Sequence, residues 1–220
     1  MTKEKIISKF KPFEKITEVK FFKKEIKGEQ GLALDIDDTI AFTFGCWVNA
    51  LKEKFGDPEK LTPEEMVVKY KLSQFVPYWQ TSEVSGFIEN LRIDNSLQVN
   101  IPLIENSNRV VQKINKIIPI KVYITNRPGC VYDGTVKFLK KHHFPDLPII
   151  LDSTGTHQKE GAKWKANVLK TLYPEIMGII DDSSSLIKEL EPDYEGVIFH
   201  YNHQEKCSDK LNVIPCNRWG

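Results

Sequence analysis

From Gly31 onward the chain alternates short apolar runs with stretches of helical periodicity. The runs at 31–36, 117–124, 148–151, 177–180 and 197–199 are bounded by turn formers or acids and predict strands. Helices are predicted over 131–143, 162–172 and 184–190. Continuously apolar strands that alternate with helices predict an α/β fold, a doubly wound parallel sheet covered on both faces. Ahead of it, residues 1–30 interleave Lys and Glu with Ile6, Ile7, Phe10, Phe13, Ile16, Phe21, Phe22 and Ile26. This helical rhythm, broken at Pro12, predicts a basic amphipathic arm packed on the domain. The connection over 43–100 is far longer than an ordinary strand-to-helix loop and helical in pattern, with Thr62-Pro63-Glu64-Glu65 as a cap and first turn. A helical lid is therefore expected, inserted between two parts of the core at 31–42 and 101–220. Its aromatic residues Phe44, Trp47, Tyr70, Phe75, Tyr78, Trp79 and Phe87 would mostly fill its own small core, with two or three left to face a substrate.

Composition narrows the classes. With 220 residues, 40% hydrophobic and 28% charged, the chain suits one core domain with an insertion. A net charge of +1 gives no broad field for coating a polyanion. No apolar run approaches about 18 residues, and Lys9 and Lys11 interrupt the N-terminal stretch, so a cytoplasmic protein is expected. Cys46, Cys130, Cys207 and Cys216 form no CxxC pair and are expected to be reduced.

The chemistry concentrates where predicted strands end. Leu32-Ala33-Leu34 runs into Asp35-Ile36-Asp37-Asp38-Thr39, three carboxylates and a hydroxyl. Asp is depleted in strands, and open α/β sheets bind ligands at the carboxyl ends of their strands. Taken alone, Asp and Thr here would also serve as turn or cap residues. Three further segments point the same way. Ile124 is followed by Thr125-Asn126-Arg127, all able to bind phosphate oxygens. Ile180 is followed by Asp181-Asp182, a pair suited to a hard cation. Lys163 and Lys165 open a helix from which one ammonium could join them.

In this order the residues resemble the haloacid dehalogenase (HAD) superfamily of aspartate-dependent phosphotransferases, over roughly residues 31–200. Asp35-Ile36-Asp37-Asp38-Thr39 is similar to the first family motif, Thr125 to the second, Lys165 to the third and Asp181-Asp182 to the fourth. The resemblance implies Asp35 as nucleophile, Asp37 as general acid and base with a pKa nearer neutrality than that of Asp35, and Thr125 and Lys165 as catalytic partners. It further implies phosphate contacts from Asp38, Thr39, Thr125, Asn126 and Lys165. Mg²⁺ would be held by Asp35, the Asp37 carbonyl and the acid pair, with Asp182 the direct ligand and Asp181 in support. Retention of Asp37 matches the phosphatases and mutases of the superfamily.

The insertion resembles the C1 lid of the superfamily, and the chain resembles the 5'(3')-deoxyribonucleotidases through Tyr78-Trp79-Gln80-Thr81-Ser82-Glu83, followed by Phe87 and Ile101-Pro102-Leu103, and the late Ile198-Phe199-His200-Tyr201-Asn202-His203. Asn126-Arg127 departs from the Ser-Pro found there. The expected activity is hydrolysis of a small phosphomonoester such as a nucleoside monophosphate, with Phe44, Trp79 and Arg127 as substrate contacts and no membrane partner. Two alternatives stand beside it. Thr125-Asn126-Arg127-Pro128 with Thr135-Val136-Lys137-Phe138-Leu139 also resembles the phosphatase half of polynucleotide end-repair enzymes, which act on nucleic-acid 3' ends. A catalytically silent phosphate-binding module with a docking arm is the other, against which Asp37 argues, because holding a cation needs no general acid.

Overall fold

The computed structural model describes residues 12–70, 73–152 and 158–219. Seven parallel strands form one sheet: β1 (Pro12–Phe13), β2 (Gly31–Leu34), β3 (Ile120–Pro128), β4 (Ile149–Asp152), β5 (Ile176–Asp181), β6 (Val197–Tyr201) and β7 (Asn212–Cys216), in the order β1-β4-β3-β2-β5-β6-β7. Successive strand residues point to opposite faces, so one apolar strand serves two cores. Ala33, Val122, Ile124, Ile150 and Ile179 pack beneath α1 (Ile16–Glu25), α8 (Gln158–Leu172) and α9 (Ser184–Leu190). Leu34, Tyr123, Ile149, Leu151 and Ile180 pack beneath α6 (Ser107–Ile117) and α7 (Tyr132–Lys141). This is the doubly wound α/β architecture.

The helix α6 ends at Ile117, so the third strand begins three residues later than the apolar run suggests. Residues 1–11 of the expected arm lie outside the described residues. Its remainder belongs to the core sheet: β1 pairs with β4, and Phe13, Val19, Phe22 and Ile26 are buried in the face under α8.

The insertion contains α2 (Thr43–Phe55), α3 (Pro63–Tyr70) and α4 (Ser82–Arg92), which share an apolar cluster separate from the sheet. Thr62 and Glu65 cap α3 reciprocally, Glu65 N–H donating to Thr62 Oγ1 at 3.2 Å and Thr62 N–H to Glu65 Oε2 at 2.7 Å. The next helix, α5 (Asn95–Asn100), is docked on the core rather than the lid. Asn95 accepts from Gly134 N–H at 2.7 Å and donates to the Cys130 carbonyl at 2.6 Å. A Cβ at Gly134 would meet the Asn95 carbonyl at 2.3 Å, so only glycine allows this approach.

The four cysteines are free thiols. Among the described residues no helix is long and apolar enough to cross a membrane.

Candidate active site

β2 lies between β3 and β5, where the chain switches from one half of the sheet to the other. Strands diverging from such a point leave a crevice at their carboxyl ends. Asp35, just past β2, is 3% exposed and hydrogen-bonds through its N–H to the Ile180 carbonyl at 3.0 Å. Lys165 reaches in from α8, its Nζ donating to Asp35 Oδ1 at 2.6 Å and Asp181 Oδ2 at 2.8 Å. Lys163 is exposed. Thr39 Oγ1 donates to Asp35 Oδ2 at 3.1 Å and lies 3.5 Å from Asp182 Oδ1.

The electrostatics follow from crowding. Burial, opposed by Lys165 and reinforced by Asp181, Asp182 and Asp37, holds Asp35 well above the usual carboxylate range. Asp182 is raised in the same way, by burial and then Asp181. Burial disfavours the Lys165 ammonium, but Asp181 and Asp35 outweigh it and raise its pKa.

Asp37 has a different environment. Its carboxylate accepts from Thr43 Oγ1 at 2.5 Å, Thr125 Oγ1 at 3.2 Å, and Arg127 Nε and Nη2 at 3.1 and 2.8 Å. Burial alone would raise its pKa; the Arg127 charge and hydrogen bonds, with Thr43, lower it below the ordinary value. The expected order of Asp35 and Asp37 is therefore reversed, because the guanidinium stands on Asp37 and the like charges stand around Asp35. Arg127, expected on the substrate, is 4% exposed and directed inward: Nη1 donates to Thr135 Oγ1 at 3.2 Å, and the guanidinium lies 5.8 Å from the Phe138 ring centroid.

Other expected contacts also differ. Asp38 has φ 55°, and its Oδ1 accepts the Phe44 N–H at 3.0 Å, so it caps the lid helix α2 rather than standing free for phosphate. Burial, then Asp37 and Asp35, push Asp38 up to about 7, against the Phe44 hydrogen bond. Asn126 is exposed at the end of β3, beside Gly161. Phe44 and Trp79 are buried in the lid cluster, and the Trp79 indole N–H donates to the Gly56 carbonyl at 3.2 Å. The sequence pattern does not mark Thr43 and His200 as site residues, yet the structure brings both to the cluster. Thr43 starts α2 and contacts Asp37; the signal for it is its place eight residues after Asp35 at the onset of the helical pattern. His200, fully buried on β6, lies 3.1 Å through Nε2 from the Asp182 carbonyl. Burial and the adjacent His203 push its pKa down to about 4, leaving the ring neutral near pH 7.

Asp35, Asp181 and Asp182 offer oxygens that all lie within 4.8 Å of one another. Three clustered carboxylates, of which Asp35 and Asp182 have raised pKa values, are a donor set that fits a hard divalent cation such as Mg²⁺. Both Asp181 oxygens are engaged, by Lys165 and by the Ser183 N–H at 2.8 Å, which leaves Asp182 the freer donor.

No family model and no curated protein matches the sequence. Among solved structures, the chain is similar to the HAD hydrolase YfnB from Bacillus subtilis bound to magnesium, at 17% identity and TM-score 0.48, covering 86% of this chain and 95% of that one. A HAD-superfamily hydrolase from Ehrlichia chaffeensis has 15% identity and TM-score 0.44, over 87% and 93% of the two chains. Cytosolic 5'-nucleotidase IIIB bound to cytidine has 14% identity and TM-score 0.35, over 86% and 79%.

Proposed function

We propose that the protein is a Mg²⁺-dependent phosphomonoester hydrolase that works through a phosphoaspartyl intermediate on Asp35. The observation carrying this reading is the convergence of Asp35, Lys165, Asp181 and Asp182 at the strand ends, with Asp37 held two residues from Asp35. One Asp35 carboxylate oxygen attacks phosphorus and the ester P–O bond breaks, its electron pair leaving with the alcohol oxygen. Asp37 supplies the proton to that oxygen. Water then attacks the phosphoaspartyl phosphorus while Asp37 takes its proton, returning Asp35 and releasing phosphate. Lys165 balances the negative charge that gathers on Asp35 and the phosphoryl oxygens. Asp35, the Asp37 carbonyl and Asp182 would hold a divalent cation, which would supply the charge neutralisation that an anionic nucleophile needs to approach an anionic ester. Arg127 favours the proton-accepting form of Asp37, so esters with basic leaving groups require Asp37 to gain a proton against that contact.

The lid favours a small substrate, such as a nucleoside monophosphate. Its first helix is rooted in the site through Thr43 and the Phe44 N–H, so any movement of α2 is felt at Asp37 and Asp38. A panel of nucleoside monophosphates, sugar phosphates and DNA bearing a 3'-phosphate, assayed with Mg²⁺, tests both levels. Hydrolysis of the small esters is expected, and Asp35→Asn should lower it by more than about 10³-fold while preserving the fold. Activity confined to DNA ends would overturn the substrate class. Substantial turnover by pure Asp35→Asn protein would overturn the nucleophile.

A further inference from the structure

The Asp182 carbonyl lies after β5 has ended and before α9 begins, so neither the ladder nor the helix provides its donor. The imidazole of His200 does, through Nε2 at 3.1 Å. The β5–β6 pairing sets His200 opposite Asp181, so the ring is anchored in the sheet.

Two carbonyls fix the hydrogens on both histidines of this cluster. A carbonyl only accepts, so His200 carries its hydrogen on Nε2, and His203, whose Nδ1 is 2.8 Å from the Tyr201 carbonyl, carries its own on Nδ1. In neutral rings the other nitrogens accept: His200 Nδ1 from the Cys207 thiol at 3.5 Å, and His203 Nε2 from the Ser184 hydroxyl at 3.5 Å. Ser184 Oγ also lies 3.3 Å from His200 Nε2. The rings stack with centroids 3.5 Å apart and planes 14° from parallel. Every nitrogen of the pair thus has a partner in this one tautomeric arrangement.

We propose that His200 is a positioning residue for the divalent-cation site: its hydrogen bond to the Asp182 carbonyl holds the Asp182 carboxylate in register with Asp35, and Cys207, Ser184 and His203 hold the imidazole. A turn that keeps Asp181 and Asp182 close to Asp35 against their mutual repulsion needs an anchor, and an imidazole rooted in the adjoining strand opposite Asp181 supplies one. The proposal rests on Asp182 binding the cation, and the test separates the two.

Full-length protein without substrate is titrated with Mn²⁺ and the free ion read by electron paramagnetic resonance. His200→Leu should weaken binding by about 10–100-fold, the range seen when a group supporting a metal ligand is removed. His200→Gln, whose amide can still donate to the carbonyl, should bind close to wild type. Melting of the metal-free variants, followed in parallel, identifies any general loss of fold. Wild-type affinity in His200→Leu would overturn the proposal, as would equal weakening by Leu and Gln. Should His200→Leu not fold, Cys207→Ala, at an exposed position, replaces it: weaker Mn²⁺ binding supports the proposal and unchanged binding overturns it. Asp182→Ala is measured alongside, and Mn²⁺ binding that survives it refutes the cation reading itself.

Discussion

Asp37 accepts hydrogen bonds from Thr43, Thr125 and Arg127, and these donors stabilise its carboxylate while opposing protonation. A base that must be ionised to take a proton from water loses activity as pH falls through its pKa. Removing a paired charge raises that pKa, so Arg127→Leu should move the acid limb of the pH–rate profile to higher pH by about one unit or more. Arg127→Lys keeps the charge but loses the fork, and should fall between the two. Nitrophenyl phosphate is the substrate to use, because its leaving group needs no proton and isolates the second half-reaction. An acid limb that stays in place would show that Arg127 does not set the acidity of Asp37. Asp37→Asn should slow alkyl phosphates more than nitrophenyl phosphate, and equal slowing would remove Asp37 from the proton-donor role. The acids Asp35, Asp37, Asp181 and Asp182 were legible because each stands at or just past the end of an apolar strand, and Lys165 because it falls in a helical pattern; that helix starts at Gln158 rather than at 162, so Lys165 lies in its middle and not at its opening. The pairing of Arg127 with Asp37 was not, since it depends on side chains 90 residues apart meeting in three dimensions.

At the level of elements, the lid is held by its own apolar cluster of Phe44, Val48, Leu51, Met66, Val76, Trp79 and Val84. Trp79 contributes both volume and a hydrogen bond to the Gly56 carbonyl at a helix end. Trp79→Leu should therefore destabilise the protein by about 2 kcal/mol, from lost packing and an orphaned carbonyl. Thermal melting checks this, and activity toward nucleotides and toward a generic phosphate ester should fall together. Selective loss of nucleotide turnover with an unchanged melting temperature would instead make Trp79 a substrate contact. The five interior strands were readable from apolar runs, whereas the edge strands were not. β1 is two residues long and begins with proline, and β7 carries Asn212 and Pro215, a composition that only an edge strand tolerates. Their pairing is decided by the neighbouring strand, which a local pattern does not contain. The lid's extent shows the same limit: α5 reads as part of the insertion, yet Asn95 binds it to α7 of the core.

Across the whole molecule the formal charge is +1, so the strongest field is local, where Asp35, Asp37, Asp38, Asp181 and Asp182 face Lys165 and Arg127. The far end of the chain is tied to this cluster: the Trp219 indole N–H donates to the Thr39 carbonyl at 2.7 Å, and its ring stacks on Tyr201 with centroids 4.9 Å apart. A strained charge cluster fastened into the fold makes global stability report on it. Asp35 and Asp182 are raised well above the ordinary value and Asp38 to about 7, each chiefly by burial. A carboxylate whose folded pKa is raised binds more protons folded than unfolded, so stability falls as pH rises through the folded value. Other shifts act elsewhere. The contribution of Asp37, with its lowered pKa, is lost only as pH falls below the usual carboxylate range, and that of Lys165, with its raised one, only above the usual lysine range. His200 and His142, both lowered by burial, oppose the carboxylates below the ordinary histidine value of about 6.5. The clean window is therefore about pH 6.5 to 8. In chelator, the melting temperature should be higher at the lower end of that window than at the upper end. Saturating Mg²⁺ should raise it at pH 8 through mass action and flatten the slope, because the cation replaces protons in relieving the repulsion. A flat chelator profile, joined to no Mg²⁺ shift at pH 8, would mean that these carboxylates neither repel strongly nor bind the ion, and would contradict the cation site from a measurement that involves no substrate.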